Sequence, residues 1–341
     1  MKMKRIGGNV MSRTVLVSGI LFAMACGGTT GGGDAGSEDV PYVPLDCRQL
    51  TNPTNGIITF SDANHFRSVA TYSCDTNYFV AGERTRLCES GGVWTEMAPT
   101  CAPETTTDAT TDLTWQVRAS EELDQATAST YCGSLVLGSH DDWRLPTIRE
   151  LITLLDYSVP YYGLDRDVFP TDAGNWFYWS STPIHSTSNY WISHSGGWGG
   201  SEPQLVTVRH ARCVRGAALT GASLSAGVTQ GTVADATSGL TWQATAIAGT
   251  YTQGNAQGVC AAAYPAGTWR LPTPNELLSI VDFTRSVPAI DTALFSGVGS
   301  DEFWTSTPDV TNPGGTWTVN MYWGVGSRRT NTEQYKVLCV H

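Results

Sequence analysis

Basic residues are scarce in this chain of 341 residues: 20 Lys and Arg stand against 31 Asp and Glu, a formal charge of -11 at neutral pH. Such a surface is a poor partner for nucleic acid, for heparin-like polyanions and for an anionic bilayer. The acidity reads simply as what keeps an exported protein soluble. Charged residues of both signs amount to only 15%, while Gly, Ser, Thr and Trp are plentiful. That mixture suits loop-rich extracellular β or α+β domains better than a helical cytosolic enzyme. Signatures of chemistry are missing too. No cysteines stand at C-x-x-C spacing, and His185, His194 and His210 are scattered without helical ligand spacing, so no metal site is expected. No glycine-rich phosphate loop precedes a helix, and the serines of Trp179-Ser180-Ser181-Thr182 lack a G-x-S-x-G elbow. No cofactor is expected.

The apolar run at residues 15–25 is too short to span a bilayer comfortably. Preceded by Lys2, Lys4, Arg5 and Arg13, it has the layout of a signal peptide over residues 1–25, with Met11 as an alternative start. Ala23-Met24-Ala25-Cys26 resembles a bacterial lipoprotein cleavage site, which implies lipidation of Cys26; plain cleavage nearby leaves that thiol free. Loss of four basic residues takes the charge to about -15. Of nine cysteines eight then remain, an even number for an oxidising compartment. Residues 26–46, rich in Gly, are expected to form a flexible tether. The expected location is the bacterial outer membrane or cell surface, otherwise secretion, with membrane contact through the N-terminal lipid only.

Residues 47–101 hold Cys47, Cys74, Cys88 and Cys101, with Asn55-Gly56, Tyr72, Gly91-Gly92-Val93-Trp94 and Pro99 between them. A unit of this length cannot stabilise itself by burial alone and needs staples. Four cysteines allow three pairings. The spacing, the Trp and the Pro resemble a sushi (complement control protein) module, and that resemblance implies Cys47–Cys88 and Cys74–Cys101 around a small core with Tyr72 and Trp94. Such a module is a small all-β spacer or protein-binding surface. Residues 102–110, Thr-rich with Pro103, read as a linker.

After it the chain is duplicated. Leu113-Thr114-Trp115-Gln116 returns as Leu240-Thr241-Trp242-Gln243, Cys132 as Cys260, and Trp179-Ser180-Ser181-Thr182 as Trp304-Thr305-Ser306-Thr307. Arg212-Cys213-Val214 returns as Leu338-Cys339-Val340, every pair offset by about 125 to 128 positions. A period this long means tandem domains, 111–216 and 232–341 with a linker at 217–231, and not a solenoid. Residues 143–151 (Trp-Arg-Leu-Pro-Thr-Ile-Arg-Glu-Leu) and 269–277 (Trp-Arg-Leu-Pro-Thr-Pro-Asn-Glu-Leu) each place a Thr three residues before a Glu, ahead of apolar residues. That is a capping box, so helices are predicted to start at Thr147 and Thr273, with Pro274 at a first helical position where its missing N–H costs nothing. Leu151, Leu154 and Leu155, and likewise Leu277, Leu278 and Val281, share a face. Leu-Thr-Trp-Gln reads as a short strand, residues 120–135 as a helix, and residues 205–214 as an alternating strand. Each copy has one cysteine by its first helix and one in its last strand. Bonds Cys132–Cys213 and Cys260–Cys339 are therefore predicted, each closing a loop of about eighty residues that contributes several kcal/mol in the chain-entropy model.

Trp-Arg-Leu-Pro-Thr-x-x-Glu-Leu, Trp-x-Ser-Thr and the terminal Cys-Val-Arg resemble the Lcl C-terminal domain, named after a bacterial collagen-like adhesin, and more distantly the formylglycine-generating enzyme group. The resemblance implies two α+β C-type-lectin-like domains, with two helices flanking twisted antiparallel sheets. The second copy departs by ending Cys339-Val340-His341, without the Arg-Gly of the first. A formylglycine-type oxidase needs a reactive thiol pair, whereas both cysteines of each copy are assigned to a bridge. Calcium-dependent sugar binding needs a Glu-Pro-Asn or Gln-Pro-Asp loop and a Trp-Asn-Asp strand, and only Glu202-Pro203-Gln204 is present.

Arg144 and Glu150, like Arg270 and Glu276, put opposite charges at a helix start, but the Glu is occupied in capping, so the pairs are assigned to the fold. Aromatic residues remain. Trp179 and Trp304, inside the repeated motif, are expected in the core. Tyr190, Trp198, Trp317 and Trp323, in the loop-rich tracts, are the candidate ligand-binding rings. The expected function is non-catalytic, adhesin-like binding of a glycan or extracellular matrix at the cell surface. The alternative is a protein–protein assembly module that uses the sushi unit.

Overall fold

The computed structural model describes residues 45–159, 164–170, 176–184, 189–194, 199–203, 207–263, 269–285 and 287–341. They are mostly β, with four short helices among the described residues. In the first module β1 (Gly56–Phe60), β2 (Val69–Cys74) and β4 (Thr85–Leu87) form one antiparallel sheet, while β3 (Tyr78–Ala81) pairs with β5 (Thr100–Pro103). Cys47 is joined to Cys88 and Cys74 to Cys101, and Tyr72 lies buried between the sheets.

The first repeat begins without a free linker. Ala102 and Pro103 belong to β5, and β6 (Thr105–Asp108) pairs at once with β7 (Leu113–Gln116). The expected linker at 102–110 is thus largely strand, because β-branched Thr suits a ladder and each neighbour offers an open edge. β8 (Glu122–Leu123) follows, then α1 (Gln125–Gly133), capped by the Asp124 carboxylate on the Thr127 N–H at 2.9 Å. The helix expected from residue 120 starts later because Glu122 and Leu123 are drawn into a sheet. α2 (Ile148–Thr153) starts at Thr147 with its capping box formed, and β9 (Phe177–Pro183), β10 (Asn189–His194) and β11 (Gly199–Pro203) make a meander. β12 (Arg209–His210) joins β9 to β8, and β13 (Val214–Arg215) pairs with β7.

The single strand predicted over 205–214 is therefore two short ones among its described residues. Between them side chains take over the ladder's role: Gln116 Oε1 accepts from the Cys213 N–H, and Ser120 Oγ accepts from the Ala211 N–H. The fully buried Arg212 donates to the carbonyls of Gln116 and Val117 at 2.7 and 2.6 Å.

The second repeat follows the same plan. It runs β14 (Leu224–Ala226), β15 (Thr232–Asp235), β16 (Thr241–Gln243), α3 (Gln253–Ala261), α4 (Pro274–Ser279), then the meander β17 (Glu302–Pro308), β18 (Gly315–Asn320) and β19 (Val325–Thr330). β14 lies inside the segment expected as the 217–231 linker and pairs with β15, so that segment is partly sheet. Cys132 is bonded to Cys213 and Cys260 to Cys339. Each bridge sits in a local core, Ala128, Trp143, Trp179 and Ile192 in the first repeat and Ala256, Trp269, Leu271 and Trp304 in the second.

Between the repeats lies one shared core, in which Ile148, Leu155, Tyr157 and Trp191 pack with Leu277, Val281, Phe283 and Trp317. Its contacts come in pairs related by an offset of 126 positions, as in a two-fold dimer. The Arg149 guanidinium donates to the Ser279 and Val281 carbonyls at 2.8 and 2.6 Å, and Asn275, at the matching position, donates to the Leu155 carbonyl at 3.0 Å. Trp191 meets Phe283 edge-on at 5.6 Å, and Tyr157 meets Trp317 edge-on at 4.8 Å. Gly324 is needed at this seam: its φ is +74° and a Cβ there would lie 2.3 Å from Val281 Cγ1.

Candidate functional site

The two motif pairs are built alike. Arg144 donates two parallel bonds of 2.7 Å to Glu150, whose carboxylate also accepts the Thr147 N–H at 2.8 Å and the Leu219 N–H at 3.0 Å. Burial of Glu150 opposes its ionisation, but the Arg144 and backbone bonds outweigh it and hold the carboxyl below the usual range. Arg270 and Glu276 repeat the fork at 2.7 Å with the Thr273 N–H at 2.8 Å, and Glu276 is shifted down for the same opposed reasons. Every carboxylate oxygen is thus committed to the helix start and its strand.

Of the candidate rings, Trp317 is only 4% exposed. One face meets Tyr157 across the shared core and the Arg328 guanidinium lies 4.7 Å from the ring centre, so it is not free to stack on a ligand. Tyr190 is half-buried on β10 against the core around the Cys132–Cys213 bridge. Trp198 and Cys26 lie outside the described residues. Trp179 and Trp304 are buried, their indole N–H groups donating to the Leu123 carbonyl at 2.8 Å and the Tyr251 carbonyl at 2.6 Å. His210 is occupied by the Ser120 carbonyl at 2.7 Å and stacks on Trp176. Among the described residues no group of three His, Cys, Asp or Glu is placed to hold a metal ion.

Trp323 stands apart. It is 43% exposed, and Tyr322 beside it is 40% exposed, the two rings 4.8 Å apart in a T-shaped pair on the turn between β18 and β19. The turn is fixed: the Tyr322 N–H donates to Asn320 Oδ1 at 2.7 Å, the Gly324 N–H to the Asn320 carbonyl at 2.8 Å, and the Tyr322 carbonyl accepts the Val287 N–H at 3.1 Å. Val287 itself is exposed, which widens the apolar patch. The sequence places both Tyr322 and Trp323 in the aromatic loop tract, and of the two only Trp323 is among the candidate rings. Their adjacency in a turn-length segment, between two alternating stretches, was the available signal.

A second concavity, of about 450 Å³, opens where the first module meets the first repeat. Phe79, Leu123, Tyr131 and Leu137 line it together with the charged Glu104 and Arg118. It combines residues from separated stretches, at 79, 104, 116–123 and 131–137, which only the fold brings together.

A disulfide-stapled module followed by two homologous, mostly β units has the build of a surface or binding module. Comparison with known families agrees: the Sushi repeat (SCR repeat) matches residues 47–101, and the Lcl C-terminal domain matches residues 104–215 and again 231–341. The chain belongs to the Lcl C-terminal domain family, with a Sushi repeat ahead of its tandem. Among curated proteins it is similar to the Sushi, von Willebrand factor type A, EGF and pentraxin domain-containing protein 1 of Rattus norvegicus and of Mus musculus, 34% identical in each case over 61 residues. These matches take in 18% of this chain and 2% of each relative, so the chain spans a very small part of either.

Proposed function

We propose that this chain is a non-catalytic binding protein of the bacterial surface, anchored by lipid on Cys26, that takes a glycan or matrix ligand through aromatic side chains on the turns of its Lcl repeats. The observation that carries this reading is the Tyr322–Trp323 pair: Trp323 is the one exposed tryptophan among the described residues, held on a rigid turn where its apolar face meets water. A planar ring of this kind stacks on the apolar face of a sugar at little entropic cost when its turn is already ordered. The disulfides that tie the first helix of each repeat to its C-terminal segment, and the two helices beside antiparallel sheets in each repeat, support a C-type-lectin-like α+β assignment. The commitment of both Arg–Glu forks to capping, and of all four repeat cysteines to bridges, supports binding over catalysis.

The test is a glycan array probed with residues 47–341, with and without chelator. The reading expects retained binding to at least one glycan class in both conditions; a wholly empty array contradicts it. A second reading has a specific observation behind it. The Sushi repeat exposes the apolar side chains of Ile57, Leu87, Val93 and Met97, residues of the sort that meet a protein. A cell-surface protein captured through these residues, together with an empty array, would favour the assembly role.

A further inference from the structure

We propose that the cleft between the Sushi repeat and the first Lcl repeat is a second ligand site, for a short neutral oligosaccharide, formed only when the two modules are seated together. The junction is built to hold one geometry. Phe79, from β3 of the Sushi repeat, packs against the core of Leu113, Trp115 and Val117 in the first Lcl repeat. The backbone is tied across it: the Glu104 N–H donates to the Asn77 carbonyl at 2.9 Å, and the Glu104 carbonyl accepts the Val117 N–H at 2.9 Å. The cleft that remains, about 450 Å³, falls within the usual range of small-molecule sites.

Its chemistry selects among ligands. The lining offers two aromatic rings, Phe79 and Tyr131, and the Tyr131 hydroxyl accepts from the Gln116 amide at 2.7 Å. Around it stand Glu104, Glu121 and Arg118, whose side chains make no hydrogen bond or ion pair among the described residues, although they line one cavity. Carboxylates only accept hydrogen bonds and a guanidinium only donates them. A ligand that satisfies both kinds needs groups that donate and accept at once, as sugar hydroxyls do, together with an apolar face for the rings. An anion would face the two carboxylates and a cation would face Arg118, so a single net charge of either sign is disfavoured. The same three groups are too few and too mixed to attract a polyelectrolyte.

This site is independent of the Tyr322–Trp323 turn, and one experiment separates the two. The whole chain is titrated calorimetrically with neutral trisaccharides of glucose, of mannose and of N-acetylglucosamine, beside the variants Arg118→Gln, Glu104→Gln and Trp323→Ala. Arg118 is exposed and has no partner among the described residues, so its substitution is expected to leave folding intact. The cleft predicts that at least one trisaccharide binds, that Arg118→Gln and Glu104→Gln each weaken it about tenfold, the worth of one charge-assisted hydrogen bond, and that Trp323→Ala leaves it unchanged. Binding that only Trp323→Ala weakens overturns the cleft and keeps the turn. Binding that neither Arg118→Gln nor Glu104→Gln weakens, or the absence of binding by all three trisaccharides, overturns the cleft site, and neither result bears on the turn, whose own test is the array.

Discussion

Glu150 and Glu276 occupy equivalent positions yet differ in setting. The Glu150 side chain is 0% exposed and Glu276 24% exposed, and only Glu150 accepts the additional Leu219 N–H. Glu276→Ala read from the capping box alone is expected to cost about 1 kcal/mol or less, but the Arg270 fork raises that somewhat. Glu150→Ala strips a buried pair and should cost about 3–5 kcal/mol, so thermal melts should rank it well below Glu276→Ala. Both carboxyls are held below the ordinary glutamate value of 4.5. A group whose folded pKa is depressed stabilises the fold above its unfolded value, and that stabilisation is lost as pH falls through the folded one. Melting temperature should therefore fall as pH drops below about 4.5, and Glu150→Gln, already lower at neutral pH, should lose less on the same acid limb. Equal acid slopes for the variant and the parent would show that Glu150 does not carry this term.

At the scale of elements, α2 and α4 explain both what could be read from the chain and what could not. Their starts are local chemistry: Thr147 and Glu150, or Thr273 and Glu276, close a ring of bonds over four residues, so the motif alone locates them. The bridges were legible because each cysteine recurs near a helix and near the repeat's end. The seam between the repeats was not, since it rests on contacts such as Arg149 with Val281, 132 positions apart, and on aromatic residues outside the shared motifs. Comparing the repeats offered a signal: Tyr157 with Phe283, and Trp191 with Trp317, recur at equal offsets. The strands at 105–108 and 224–226 were read as linker because composition reports local polarity, not the open sheet edge that recruits a Thr- or Ser-bearing segment. Burial lowers the pKa of Arg149, yet its charge lies against carbonyls at the C-terminal end of α4, where a cation is favoured. Arg149→Ala should cost about 2–3 kcal/mol by leaving those carbonyls without a donor. Urea unfolding measures this, and a change within error would mean that the seam is carried by its apolar side chains alone.

For the whole molecule the shared core means that the tandem is one folding unit with two sequence repeats. Residues 104–341 should unfold in a single calorimetric transition, with Arg149→Ala and Gly324→Val both shifting all of it. Two separable transitions, one per repeat, would contradict the shared core. The first repeat alone would bare Ile148, Leu155, Tyr157 and Trp191 to water, a patch expected to bind hydrophobic dye or self-associate. This rigid base sets where the exposed rings stand: the Tyr322–Trp323 turn continues from Gly324, itself pressed on Val281 at the seam. The most direct measurement of the functional claim is calorimetric titration of residues 47–341 with a glycan retained on the array, beside Trp323→Ala checked for an unchanged melt. The account predicts at least about tenfold weaker binding by the variant, the scale of one well-placed aromatic contact. Unchanged affinity in a folded Trp323→Ala protein would contradict it.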